Sequence, residues 1–337
     1  MKIFLWAVIG TGALTVWGCG GSSSGGQPVA FRVLDSSTES IANGVSSLST
    51  VGTVNVGVPP HAAKWDGAGN TFVDLSPSGS TQSSAMGVSG SKVVGNALLS
   101  GQYHAGYWTG GATSFVDLAP SGTDRSLATG VSEAGTVVGL ADTGAGDHAG
   151  YWTGDASTFI DLNPTGAASS AASGVSGSNI VGYAEFGNTH AALWTGTAGS
   201  FVDLNPTGAV SSYCNGVSGT TEVGTVQFGS VTHAAMWTGT AASHVDLSPA
   251  GDANGLAAAV SGNYAVGYVS LGSVHAVVWN LTTKSYLDLH EFCPGYEASL
   301  ATGIAVTSKG IIVSGRVSTS TSDFAAKWTV SNSVLPE

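Results

Sequence analysis

One pentapeptide recurs along this chain at nearly constant spacing, and that recurrence limits the fold more than any other feature. The string H-A-x-x-W begins at His61, His104, His148, His190, His233 and His275, and a seventh copy, FAAKW, begins at Phe324. Successive copies lie 43, 44, 42, 43, 42 and 49 residues apart. Each of the first six is followed by an aromatic-hydrophobic-Asp-Leu element such as FVDL at 72–75, with His244 replacing the aromatic in the fifth. A Pro/Gly turn follows in five of the six, then an A-x-G-V-S-like run and a V-G-x run. A period of about 43 residues is too long for one coil of a single-strand solenoid and matches one four-stranded blade. The sequence therefore predicts an all-β chain, a seven-bladed β-propeller of four-stranded antiparallel blades covering residues 31–337.

Around His190 the pattern places strands at 172–176, 179–183, 190–194 and 200–204. Small residues fill the first of these, where blades converge on the axis, and Gly and Pro mark the turns. From His to the following Asp is 13 residues in all six copies: His61–Asp74, His104–Asp117, His148–Asp161, His190–Asp203, His233–Asp246 and His275–Asp288. If a four-residue loop at 195–198 closes the hairpin, His190 lies directly opposite Asp203. Both side chains then share one face, about 5 Å apart at Cβ. The expectation is one cross-strand His–Asp pair per blade. In the seventh copy Glu337 stands 13 residues after Phe324. Phe31 to Leu34 reads as a fourth strand with no blade of its own, and pairing it with the strand that ends at Trp328 seals the ring. Closure within the C-terminal tail, through residues 333–335, is the alternative.

Composition narrows the function classes. Only 9% of the 337 residues are charged and the formal net charge is −12. Seven of the nine cations, Lys64, Lys92, Arg125, Lys284, Lys309, Arg316 and Lys327, are scattered singly. Nothing here would neutralise a run of phosphates, so no nucleic-acid partner is expected, and an acidic surface disfavours docking on anionic lipid. Residues 1–18 read as a signal peptide: Lys2 precedes a mostly apolar run of about 15 residues, short of the about 20 that span a bilayer. The run ends in Val16-Trp17-Gly18-Cys19, which resembles a lipoprotein cleavage box and makes Cys19 the expected lipid attachment. Residues 19–30 then form a flexible tether rich in Gly and Ser. Cys214 takes the place of Ala85, Ala128, Ala172, Ala257 and Ala301 and reads as a small buried residue. Cys293 lies in the loop before the seventh repeat, and whether the two pair is open.

A ring of His, Asp and Trp carries a structural reading better than a catalytic one. Catalysis needs one asymmetric constellation, and six near-identical pairs supply none. The tryptophans at 65, 108, 152, 194, 237, 279 and 328 are expected to pack between blades. No nucleophile elbow, phosphate loop, nucleotide fingerprint or metal-ligand spacing occurs, so neither cofactor nor metal is expected. Departures from the repeat are more telling. On the face that carries the loops from one blade to the next, Arg125, Tyr213, Glu291, Tyr296 and Glu297 interrupt a bland background and are the candidate contact residues.

The H-A-x-x-W copies, the V-D-L-x-P-x-G turn and the A-x-G-V-S…V-G run together resemble the extracellular HAF-repeat proteins of bacteria. The family's Asn-Asp-x-x-G-x-I-V-G form is reduced here, with residues 132–139 the nearest version. The resemblance implies an exported β-repeat protein and no particular activity. The expected function is a non-catalytic, lipid-anchored scaffold of the cell envelope, monomeric, binding an envelope protein or a glycan. A multivalent lectin is the alternative, and a hydrolase or lyase the weaker third reading.

Overall fold

A computed structural model describes residues 28–35, 38–56, 59–66, 71–249 and 254–335. They form seven four-stranded antiparallel sheets arranged as propeller blades. Six blades are continuous in sequence. Blade 4, for example, comprises Ser169–Ser176, Asn179–Glu185, Thr189–Trp194 and Val202–Asp203. Blade 7 is composite: Ala298–Thr307, Gly310–Ser318 and Asp323–Ser331 take Val29–Val33 as their outermost strand. Phe31 lies opposite Trp328, so the N-terminal strand closes the ring. The alternative closing segment does not serve, because Asn332–Val334 forms a 3-10 turn. The strand also begins earlier than the sequence suggests. Val29 and Ala30, assigned above to the tether, already pair with Val330 and Thr329. The signal-peptide segment, Cys19 and Glu337 lie outside the described residues.

The V-G and A-x-G-V-S runs turn out to be two halves of one device. Every first strand carries one extra residue in a β-bulge: Asn43, Met86, Thr129, Ser173, Asn215, Ala258 and Thr302. The bulge brings a first-strand carbonyl toward the second strand, and the facing residue must be glycine. A Cβ on Gly182 would stand 1.9 Å from the Ala171 carbonyl oxygen, and the same contact recurs at Gly52, Gly95, Gly139, Gly224, Gly267 and Gly315. Bulged side chains also reach sideways. Asn43, Thr129 and Asn215 donate to the carbonyls of Ala85, Ala172 and Ala257 in the next blade, at 2.8, 2.8 and 3.0 Å. Thr302 donates to the Ala42 carbonyl at 2.6 Å, across the seam of the ring.

Apolar packing lies between blades, as the sequence predicts. All seven tryptophans at the end of the repeat motif are buried, Trp194 among residues of blades 3 and 4. Trp108 and Trp152 have their ring partners Phe115 and Phe159 at 5.0 Å, while Trp194 and Phe201 are 6.0 Å apart. The closer pairs go with Gly106 and Gly150, where a Cβ would strike the phenyl ring at 2.2 and 2.1 Å. One leucine per blade, from Leu75 to Leu289, seals the end of the fourth strand, and Leu34 does so in blade 7.

Candidate functional site

The six His–Asp pairs form, by a register other than the predicted one. Asp203 lies opposite Ala192, not His190, because the connection from Trp194 to Val202 contains the 3-10 turn Ala198–Ser200 and is longer than four residues. The fourth strand is correspondingly short, Val202–Asp203. The shift is two residues, so period-two geometry keeps both side chains on one face and the pair becomes diagonal. His Nδ1 donates to Asp Oδ2 at 2.7 Å in His61–Asp74, His104–Asp117, His148–Asp161 and His275–Asp288. His190–Asp203 is 2.8 Å. His233 approaches Asp246 to 2.8 Å without the alignment of a hydrogen bond.

The other carboxylate oxygen is also engaged. In each pair Asp Oδ1 accepts the backbone N–H two residues on, at 2.7–2.8 Å, which fixes the turn toward the next blade. That next residue continues the chain of contacts: Ser76, Asn163, Asn205 and His290 meet Ser83, Ser170, Ser212 and Ser299 at 2.6–3.0 Å. These buried serines in turn accept the N–H of Ala62, Ala149, Ala191 and Ala276, one residue past the histidine, at 2.8–2.9 Å. Ser126 and Ser40 do the same for Ala105 and Ala325 at 3.0 Å. In blade 6 Gly255 holds this place, and Ser248 reaches the Ala234 N–H instead at 3.0 Å. Sequence reading passed over these serines as bland. Their signal was a fixed offset of 22 residues from the histidine in four copies. The His–Asp ring is thus a polar seam consumed in holding blades together.

The irregular positions are the candidates for contact. Arg125 forks onto Asp147, Nε to Oδ1 at 2.9 Å and Nη2 to Oδ2. Tyr213 packs edge-on against Tyr183 at 5.3 Å, and its hydroxyl reaches Thr189 Oγ1 at 3.4 Å. Burial, then the nearby carboxylates of Glu185 and Asp147, hold the Tyr183 hydroxyl above its ordinary pKa, with Tyr213 adding and Arg125 opposing. Arg125 and Tyr213 are therefore brought into one neighbourhood through Tyr183. Tyr296 lies elsewhere and faces inward, 6.0 Å from Phe31 and 6.3 Å from Phe324, as part of the clasp over the closing strand. Glu291 and Glu297 are exposed on the same loop.

Two further features lie on the upper face, where blades are linked. Arg316 pairs with Asp323 at 2.8 Å. Asp323 directly precedes Phe324 as Asp147 directly precedes His148, so two arginines from different positions of the repeat pair with aspartates at the same one. Between blades 6 and 7 a groove of about 450 Å³ opens over Tyr268, Leu300 and Arg316. The axial channel has a collar of Val88, Val131, Val175, Val217, Val260 and Ile304 above a wider lower mouth of about 720 Å³. Glu133 is the one carboxylate lining that mouth among the described residues. Cys214 and Cys293 are buried and unpaired. Burial raises both thiols, that of Cys293 to about 12, so neither is a ready nucleophile. Among the described residues no three His, Cys, Asp or Glu side chains converge as a metal site requires, and no helix is long and apolar enough to cross a membrane.

No family model matches the chain and no curated protein matches it in sequence. Solved propellers do resemble it in structure. A puromycin hydrolase superposes with a TM-score of 0.58 at 11% identity over 85% of this chain and 51% of that one. The β-propeller domain of the Trilobed protease from Pyrococcus furiosus, described as having an open velcro topology, gives 0.55 at 10% identity over 87% and 93%. A TolB-type protein of Agrobacterium tumefaciens gives 0.50 at 11% identity over 66% and 89%. The chain spans about half the length of the puromycin hydrolase and of the two other peptidases it matches. At these identities the likeness is one of fold, and the fold is a β-propeller.

Proposed function

We propose that this chain is a non-catalytic binding scaffold of the bacterial cell envelope, anchored through lipid on Cys19. The observation that carries the reading is that both oxygens of the recurring carboxylates are already occupied, one by histidine and one by a turn amide. A carboxylate engaged in this way in five of the six copies is not poised as an acid or base. What remains for recognition is the irregular upper face. The HAF-repeat resemblance and the lipoprotein-like start support export, and the fold likeness to a TolB-type protein is compatible with an envelope partner. The propellers of peptidases are also similar in fold, which keeps a hydrolase as the weaker reading.

Capture from a detergent-solubilised envelope fraction with the full chain tests this. A saturable partner, lost when upper-face side chains are replaced, is the expected result. Turnover of ester, peptide or polysaccharide substrates by the purified chain would overturn it. Anchoring has its own test: Cys19→Ala should abolish incorporation of labelled palmitate and release the protein from membranes. A glycan is the second reading of the ligand, favoured by the groove between blades 6 and 7, which combines an aromatic ring, an Arg–Asp pair and hydroxyl side chains.

A further inference from the structure

The inter-blade grooves of the upper face are built on one plan, yet they differ in what fills them. Tyr183 and Tyr268 occupy one position of the repeat, each directly after the second-strand glycine, Gly182 or Gly267. Tyr213 and Leu300 occupy another, each three residues before the first-strand glycine, Gly216 or Gly303. Between blades 4 and 5 the Tyr213 ring packs on Tyr183 at 5.3 Å and fills the space. Between blades 6 and 7 the shorter Leu300 stands in its place, and a groove of about 450 Å³ opens beside Tyr268. That volume lies within the range of small-ligand sites, roughly 300–1,000 Å³.

We propose that this groove binds a neutral saccharide of one or two pyranose rings, a site that rests on the glycan reading above. Its lining joins two chemistries. Tyr268, Leu300 and Val274 supply apolar surface; Thr232, Ser318 and Arg316 supply polar groups. A pyranose has the matching halves, a C–H face that packs on an aromatic ring and hydroxyls that both donate and accept. Charge narrows the class. Arg316 is neutralised by Asp323 at 2.8 Å, and Asp323 also accepts from Ser318 Oγ, so the wall presents donors and acceptors without net charge. An anion would have to displace Asp323, and a fully apolar ligand would leave the hydroxyls and guanidinium unsatisfied. A peptide adding as a β-strand needs an unpaired sheet edge, but the groove is walled by inner strands that are paired on both sides or face the axis. The outer strands of these two blades, Tyr286–Asp288 and Val29–Val33, where edges are free, lie at the rim.

The test is a titration of the full chain against an array of neutral oligosaccharides ending in glucose, galactose, mannose or N-acetylglucosamine, with calorimetry on those retained. Binding at one site per chain is expected, weakened roughly tenfold or more by Tyr268→Ala, as loss of an aromatic anchor does. The sharper variant is Leu300→Tyr, which rebuilds the Tyr183–Tyr213 arrangement and should fill the groove and abolish binding with an unchanged melting midpoint. Tyr183→Ala should leave affinity as it is. Binding that survives Leu300→Tyr, or a stoichiometry near seven, overturns this site while leaving a lectin; no binding to any member of the array overturns the glycan reading itself.

Discussion

Six blades are cut from continuous chain, and the seventh is assembled from its two ends; the contrast identifies what the recurring residues are for. In blade 4, His190 and Asp203 meet as a hydrogen-bonded diagonal pair, with Asp203 opposite Ala192. In blade 7 the same register places Val33 opposite Ala326, and the histidine position is Phe324. Both members of the polar pair have become apolar together. A site residue would have no reason to vanish in step with its partner, whereas a cross-strand contact does. The indole N–H differs too: Trp328 Nε1 donates to Cys293 Sγ at 3.2 Å, while those of the other six repeat tryptophans find no protein acceptor. Blade 7 thus replaces polar ties with an apolar and aromatic clasp of Phe31, Tyr296, Phe324 and Trp328, suited to a strand that must find its place without a covalent hairpin.

The largest expected effect attacks that clasp. Phe31→Ala with Leu34→Ala removes two of the side chains that dock the closing strand. Truncating a buried side chain costs about 2–5 kcal/mol; Leu34 is fully buried and Phe31 partly so, and together they take a large share of the margin of a domain, about 5–15 kcal/mol. Urea unfolding should show either a lost cooperative transition or a midpoint far below that of Phe201→Ala with Leu204→Ala in blade 4, where the strand is tethered by its hairpin. Equal midpoints would remove the distinction between the composite blade and the others.

Next in size is a feature the blades share. Gly182→Ala puts a methyl 1.9 Å from the Ala171 carbonyl, and Gly315→Ala one at 2.0 Å from Leu300. Backbone must move in both, at a cost of about 3 kcal/mol or more. Thermal melts should fall by similar amounts in the two variants. A tolerated alanine at either position would contradict the bulge as described.

The pair itself can be transplanted. His190→Phe and Asp203→Val, made singly, break a half-exposed charge-assisted bond, worth about 1 kcal/mol after solvent screening. Asp203→Val should cost more, because it also releases the Asn205 amide held at 2.7 Å. Together they recreate the Phe324–Val33 arrangement, and the double variant should be more stable than the sum of the singles. Strict additivity in a double-mutant cycle would mean the two side chains do not act as a unit.

Much of this ring could be read from the repeat alone, and the parts that could not share a cause. Blade number, inter-blade tryptophans, the His–Asp partnership and closure by Phe31 all follow from residues that recur at fixed intervals. The partner exchange in blade 7 escaped because Val33 and Phe324 stand at opposite ends of the chain. The hairpin register escaped because a 3-10 turn at Ala198–Ser200 leaves no mark in residue identity beyond small side chains. Thr232, Tyr268 and Arg316 come from three blades, so no linear pattern gathers them into one groove.

The smallest effect concerns the aromatic that backs each tryptophan, Phe31 in blade 7 and Phe201 in blade 4 but His244 in blade 5. His244 lies 5.9 Å from Trp237, and its buried Nε2 has no partner. Burial lowers its pKa from the ordinary 6.5, with Asp246 opposing and nearby His233 adding. A group depressed in the folded state is protonated more readily when unfolded, so stability present above the ordinary histidine range is lost as pH falls through the depressed value. His244→Phe should remove that acid-side loss and raise the melting midpoint slightly at neutral pH as well, by restoring the ring that blades 2 and 3 carry. The measurement is a series of melts from neutral to mildly acidic pH on both proteins. If the two curves run parallel throughout, the imidazole is solvated in the folded ring and blade 5 owes nothing to the exchange.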